Sequence, residues 1–402
     1  MSGPAPRFSS RLPPPPPENA LALAWARRKA AGLERLDLAD SNPTRVGASF
    51  PEEDFLAALG DGRNARYEPD PRGLSRAREA IAARLAREGE GAGFDAERIF
   101  CAASTSEGYS WLFKLLCDPG DAVAVPRPGY PLFDYLADLE AARAVPYRLE
   151  YVHPEGWRVD LDSLEAALVS GGARAVVLIN PNNPTGSYVG GAEREAVVSL
   201  AERYGVALVV DEVFRPYALE TEAAASFAFE ERVPTFVLDG MSKLAASPQL
   251  KLGWIALAGP PAWRAEAAAR LEVIADSYLS ASAMAMNAAP ALLAGADRFV
   301  AGLRGRLARN LASLRASLEG PSSPFRVLAC HGGWTALVEA PRFEPEEDFA
   351  LKLIEEDGVR VHPGHFFDLE RDGVYALSLI LEPERFDRGV GLFKRRFGED
   401  VG

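Results

Sequence analysis

The stretch ARAVVLINPNNPTG, residues 173–186, decides how the rest of the chain is read. Ala173 to Ile179 is an apolar run of strand length. It stops at Asn180-Pro181-Asn182-Asn183-Pro184-Thr185-Gly186, a dense cluster of turn-forming residues. The same pattern recurs on either side. Downstream, Val206 to Val210 reads as a buried strand ending on Asp211, and Thr235 to Leu238 as another, ending just before Gly240-Met241-Ser242-Lys243. Upstream, Ala122 to Val125 is a short buried strand. Helical spacing is predicted over Leu74–Arg87, Ser106–Cys117 and Ala192–Tyr204, the last closed by Gly205 at the position where a left-handed residue ends a helix. Strands alternating with helices predict a largely parallel sheet with crossover helices, an α/β fold. Open sheets of this kind place ligands outside the carboxyl ends of their strands. Three such ends carry Asn183, Asp211 and Lys243, and together they form the candidate site.

At 402 residues the chain exceeds one ordinary core, since single cores stop growing near about 250–300 residues. The expected division is a proline-rich tail at 1–18, an N-terminal segment at 19–45 packing with the small domain, a large domain at 46–274 whose mostly parallel sheet is sandwiched by helices, and a smaller α+β domain at 275–402. An amphipathic stretch from Ala20 to Gly32 opens the body. A helix over Ala296–Leu318, a strand over Gly332–Val338 and a helix near Phe386–Phe397 are predicted in the smaller domain.

Composition sets the outer limits. Hydrophobic residues at 48% and charged residues at 25% are ordinary for a globular protein. No apolar run approaches the roughly 20 residues of a membrane span, and Arg7 and Arg11 lead into Pro13–Pro17 and not into a secretory apolar core. A cytoplasmic enzyme with no membrane partner is expected. The formal charge of −13 argues against binding a nucleic-acid backbone, while a local pocket can still attract a small anion. Cys101, Cys117 and Cys330 are widely spaced, and His153, His331, His362 and His365 lack ligand spacing; His362-Pro363-Gly364-His365 reads as a turn. No metal site is expected.

Taken singly, a lysine or aspartate after a strand is a surface group or a helix cap. Taken in order, the motifs resemble those of the pyridoxal-phosphate-dependent aminotransferases of class I/II, fold type I. Asn180–Gly186 is similar to the family's NPxNPTG loop, Asp211-Glu212-Val213 to its acid-bearing strand end, and Ser242-Lys243 with Lys251-Leu252-Gly253-Trp254 to its lysine segment. DLADSNPTRVG at 37–47, Tyr67 with Gly73-Leu74, and Pro119-Gly120-Asp121 followed by Pro128-Gly129-Tyr130-Pro131 complete the set. The resemblance implies pyridoxal 5′-phosphate held as a Schiff base on Lys243, with Asp211 keeping the pyridine nitrogen protonated and Asn183 donating to the phenolic oxygen. It implies Tyr130 stacked on the ring, Ser104, Thr105 and Ser106 at a helix start with Lys251 around the phosphate, and Tyr67 serving a neighbouring subunit in a homodimer. The implied activity is amino transfer between an amino acid, or a related amine, and a 2-oxo acid. A β-eliminating lyase on the same fold and a degenerate cofactor-binding protein are the alternatives.

Three positions depart from the family. Phe214 replaces a tyrosine, which removes a hydroxyl from the phenolic oxygen and should raise the pKa of the lysine-bound cofactor. Gly240 replaces a phosphate-binding serine. Ala376, in Tyr375-Ala376-Leu377-Ser378-Leu379, stands where an arginine usually clamps the substrate carboxylate. Arg45 is the expected substitute, ahead of Arg215.

Overall fold

The computed structural model describes residues 8–12, 18–89 and 93–399. The expected tail at 1–18 falls mostly outside them. In chain order the strands are β1 (Leu36–Asp37), β2 (Ile99–Ala102), β3 (Ala122–Arg127), β4 (Arg143–Val152), β5 (Gly156–Val159), β6 (Ala173–Ile179), β7 (Ala207–Asp211), β8 (Thr235–Gly240), β9 (Gly253–Ala258), β10 (Arg326–Val327), β11 (Thr335–Glu339), β12 (Val359–Arg360), β13 (His362–Pro363) and β14 (Val374–Ser378).

A sheet of eight strands, in the order β2-β9-β8-β7-β6-β3-β4-β5, forms the centre. The pairs from β4 through β3, β6 and β7 to β8 are parallel, and β9 and β5 run antiparallel to their neighbours. Parallel strands are covered on both faces and so read as continuous apolar runs; all five residues of β7 are buried. Alternate residues feed two cores. Val177, Val209, Phe236 and Leu238 point to one face, under the helices Thr105–Leu116 and Pro261–Tyr278. Val176, Leu208, Val210 and Val237 point to the other, toward the helices Ser75–Glu88, Gly191–Tyr204 and Ala283–Leu318.

The second sheet, β10-β11-β14-β13, is antiparallel and lies in the C-terminal part of the chain. The N-terminal segment joins that part: β1 pairs with β12, and Leu21 and Ala24 of the helix Ala20–Ala30 pack with Ala350 and Ile354. The helix predicted from Ala296 begins at Ala283 and carries Pro290 inside it. Proline removes a backbone donor and normally stops a helix, which is why the sequence pattern hides the first turns. The residue 274/275 division falls inside the helix Pro261–Tyr278. Gly332-Gly333-Trp334 is a turn and not strand: Gly333 has φ +87° and its N–H donates to the Tyr217 carbonyl at 2.9 Å.

Two glycines let backbone segments meet at the strand ends. A Cβ on Gly253 would lie 2.9 Å from the Ser104 carbonyl carbon and 3.0 Å from the Thr105 nitrogen. On Gly186, at φ +71°, it would lie 2.6 Å from the Gly332 carbonyl oxygen. The contacts at Gly253 are with backbone, which cannot rotate away, so Gly253→Ala should cost about 1–3 kcal/mol and weaken anion binding at Thr105. Thermal unfolding with phosphate titration checks this; an unchanged midpoint and unchanged phosphate affinity would contradict it.

Candidate functional site

One cavity of about 310 Å³ gathers residues from the carboxyl ends of β6, β7 and β8, the start of the helix Thr105–Leu116, the segment 247–253 and the turn before β11. Ser104, Thr105, Ser106, Tyr130, Asn183, Asp211, Lys243 and Lys251 all line it. The strand-end motifs therefore meet in space.

At the inner end lies Asp211, the last residue of β7. Its carboxylate accepts from the Val213 N–H at 3.1 Å and from the Tyr109 hydroxyl at 3.2 Å. Burial pushes its pKa up to about 6. Lys243 sits on the short helix Met241–Leu244 directly after β8. Burial lowers its pKa to about 8, against the attraction of Asp211, so roughly a tenth of the amine is free near neutral pH. Its Nζ lies 4.9 Å from the Trp334 ring centre and 5.3 Å from that of Phe214. The Tyr217 hydroxyl donates to the Lys243 carbonyl at 2.7 Å.

The loop 180–186 secures itself. Asn180 accepts from the Val189 N–H at 2.9 Å, and Asn182 accepts from the Thr185 hydroxyl at 2.9 Å. Asn183 is left facing the cavity with no hydrogen-bond partner for its side chain among the described residues. At the opposite end Ser104 caps the helix: its hydroxyl accepts from the Glu107 N–H at 3.1 Å, and Glu107 accepts from the Ala103 N–H at 2.6 Å. This reciprocal cap satisfies two donors and leaves the Thr105 and Ser106 N–H groups without acceptors among the described residues. Lys251 lines the same cavity at φ +56°, with Ala246 at +43°. Such non-glycine conformations cost roughly 1–3 kcal/mol each and collect where ligands bind. Two free amides at a helix start and a cation suit a phosphate.

Other expected residues lie elsewhere. Arg45 does not line this cavity: its guanidinium pairs with Asp40 at 2.7 Å, and it borders a separate cavity with Asp37, Glu382 and Arg385. The mostly buried Asp40 sits five residues back on the same turn segment and captures it. Arg215 is likewise held by Glu88 and by Glu212, the latter at 3.1 Å. Ala376 is buried in β14 opposite Leu337 and His362. Tyr67 is 76% exposed on this chain's surface and does not line the cavity. Gly240 lines the cavity, and so does Ser242.

Sequence reasoning missed Tyr109, Ser41, Trp334 and Thr335. The position of Tyr109, one turn into a helix on its apolar face, carried a signal. For Trp334, a glycine pair before an aromatic was the only one.

Several known proteins resemble the chain. The model of the aminotransferase class I and II family matches residues 35–375. Alanine aminotransferase of Mycobacterium tuberculosis is 27% identical over 360 residues, covering 85% of this chain and 81% of that protein. Nicotianamine aminotransferase 1 of Oryza sativa is 32% identical over 239 residues, 56% of this chain and 46% of its own length. Among solved structures, alanine aminotransferase from Pyrococcus furiosus superposes with a TM-score of 0.86 at 23% identity, over 98% of this chain and 100% of that one. Tyrosine aminotransferase from Leishmania infantum gives 0.82 at 20% identity, over 91% and 92%. Class I and II aminotransferases of this fold use pyridoxal phosphate. The residues present fit that group: a buried carboxylate and a buried lysine share one cavity with unsatisfied amides at a helix start. Fold, cavity and family match agree that the chain belongs to the class I and II aminotransferases.

Proposed function

We propose that the chain moves an amino group between an amino donor and a 2-oxo acid, with Lys243 both holding pyridoxal phosphate as a Schiff base and acting as the proton carrier. The observation that carries this reading is the Lys243 amine, buried and partly neutral, in the same cavity as Asp211. The named relatives, alanine and nicotianamine aminotransferases, support amino compounds as donors.

When bound, pyridoxal phosphate supplies an aldehyde for amines and a ring that draws electron density from the substrate's α-carbon. The chain supplies the rest. Asp211 holds a positive charge at the inner end of the cavity, and Tyr109 fixes the carboxylate's orientation. Tyr130 would offer its ring face for stacking on the cofactor and Asn183 would donate to its phenolic oxygen. The Thr105 and Ser106 amides and Lys251 hold an anion. Once the incoming amine has displaced it, Lys243 Nζ would take the proton from the substrate's α-carbon and deliver it to the carbon that came from the aldehyde. Tyr67 is proposed to complete the anion site of the other subunit in a homodimer.

Mixing the cofactor-loaded protein with single amino donors and recording its absorption tests the reaction. A donor should discharge the cofactor band and a 2-oxo acid should restore it, and Lys243→Ala should slow that exchange at least about a hundredfold. Release of ammonia without any oxo acid would instead mark a lyase. Phe214→Tyr restores a hydroxyl near the ring and should lower the pH at which the bound cofactor's band titrates; an unchanged titration would show that Phe214 has no such influence.

Asp211 predicts a pH effect on the cofactor-free protein. Its folded pKa, about 6, lies above the ordinary carboxylate value of 3.8. Between those values the folded chain holds a proton that the unfolded chain has shed, so stability falls as pH rises through the window and stays reduced above it. Asp211→Asn carries no charge at any pH. It should therefore stabilise the cofactor-free protein by about 3 kcal/mol near pH 8 and by little near pH 4. Chemical denaturation at the two pH values checks this, and an equal effect at both would contradict it.

A further inference from the structure

The cavity's charges are few. Among its lining residues the cations are Lys243 and Lys251, and the anion is Asp211. Lys251 stands with the free amides of Thr105 and Ser106, where an anionic phosphate would sit. Lys243 is the amine that reacts. The wall around the reacting nitrogen is otherwise neutral: the Phe214 and Trp334 rings, in edge contact at 5.4 Å, with the hydroxyl residues Ser41 and Thr335 on the same cavity. Neither hydroxyl has a hydrogen-bond partner among the described residues. The arginines nearest in the chain to these lining residues are already neutralised. Arg45 is held by Asp40, Arg127 by Asp134 at 2.7 Å and Asp368 at 2.8 Å, and Arg215 by Glu88 and Glu212.

We infer that this cavity orients its amino donor by the Phe214–Trp334 aromatic wall, and that a carboxylate, where the donor has one, is met by the Ser41 and Thr335 hydroxyls and not by a cation. The inference deepens the amino-transfer reading and rests on it. The substrate class that follows is an amino compound with an apolar or aromatic substituent, for which a carboxylate on the reacting carbon is accepted but not required. A hydroxyl that donates to a carboxylate makes a hydrogen bond to a charged group, worth about 1.5–3 kcal/mol, so losing the carboxylate costs about ten- to a hundredfold. A buried charge pair would make the same loss cost a hundredfold or more. The aromatic wall acts in the other direction: the large flat surfaces of Phe214 and Trp334 favour substituents that bury area against them.

The test compares matched donors on the cofactor-loaded full-length protein: L-phenylalanine with 2-phenylethylamine, and L-leucine with 3-methylbutylamine. The second-order rate of band discharge is measured for each, referred to the same donor's reaction with free pyridoxal phosphate. The expected amino acid-to-amine ratio is at most about a hundredfold, with both phenyl donors faster than alanine and ethylamine. A ratio well above a hundredfold would overturn the inference by showing that a cation, from this chain on closure or from a partner subunit, clamps the carboxylate. Thr335→Val gives a second reading. It should lower the amino acid rates and leave the amine rates within about threefold, and an equal fall in both would also count against the hydroxyl role. Failure of the underlying reading looks different: no donor of either kind discharges the band, or no band forms.

Discussion

Lys243 and Asp211 are opposite charges withdrawn from water in one cavity, and neither has a direct ion-pair partner among the described residues. Burial moves both toward neutrality, the lysine down to about 8 and the aspartate up to about 6. Holding the ionised forms there costs on the order of 3 kcal/mol per group. The rest of the fold makes that arrangement tolerable. The inner strands of the central sheet lie in an apolar core that will not rearrange to admit water, and Tyr109 and the Val213 N–H give the carboxylate two donors. A ligand carrying a positive ring nitrogen beside Asp211 and an electrophile beside Lys243 relieves both costs together. Stored destabilisation of this kind is what allows a site to bind one chemistry strongly.

The second sheet takes part in the same construction. Segment 214–219 links the lysine to it: the Tyr217 hydroxyl bonds the Lys243 carbonyl, the Tyr217 carbonyl accepts from the Gly333 N–H, and the Tyr217 ring lies 5.3 Å from that of Trp334. Ala218 bridges Gly332, and the Leu219 N–H donates to the His331 carbonyl. Trp334 therefore reaches Lys243 along a fixed path, although the two are far apart in sequence. Gly186 is needed on that path, because any side chain there would strike the Gly332 carbonyl.

Much of this was legible in the amino-acid sequence, and the reasons differ by element. Strands buried on both faces announce themselves as apolar runs, so β6 was read to its residue and β7 and β8 nearly so. The polar residues that end them could be assembled into a site because open sheets gather ligands at that edge. The turns that carry Ser41, Trp334 and Thr335 into the cavity obey no such periodicity. Their positions depend on tertiary contacts such as the Gly333–Tyr217 hydrogen bond, which leave no local trace. Arg45 lies outside the cavity for a related reason. Its proximity in the chain to Ser41, which does line the cavity, is real, but the side chain turns to the nearer Asp40. Pro290 hid the start of the longest helix, whose packing against several neighbours outweighs one lost backbone hydrogen bond.

The most direct test of the central claim is to trap the cofactor where it is attached. Borohydride reduction of the protein loaded with pyridoxal 5′-phosphate, followed by proteolysis and mass spectrometry, locates the modified residue. The geometry predicts a single phosphopyridoxyl group on Lys243, lost in Lys243→Ala and unaffected by Lys251→Gln. Labelling at Lys251 or across many surface lysines, or retention of the label in Lys243→Ala, would contradict it.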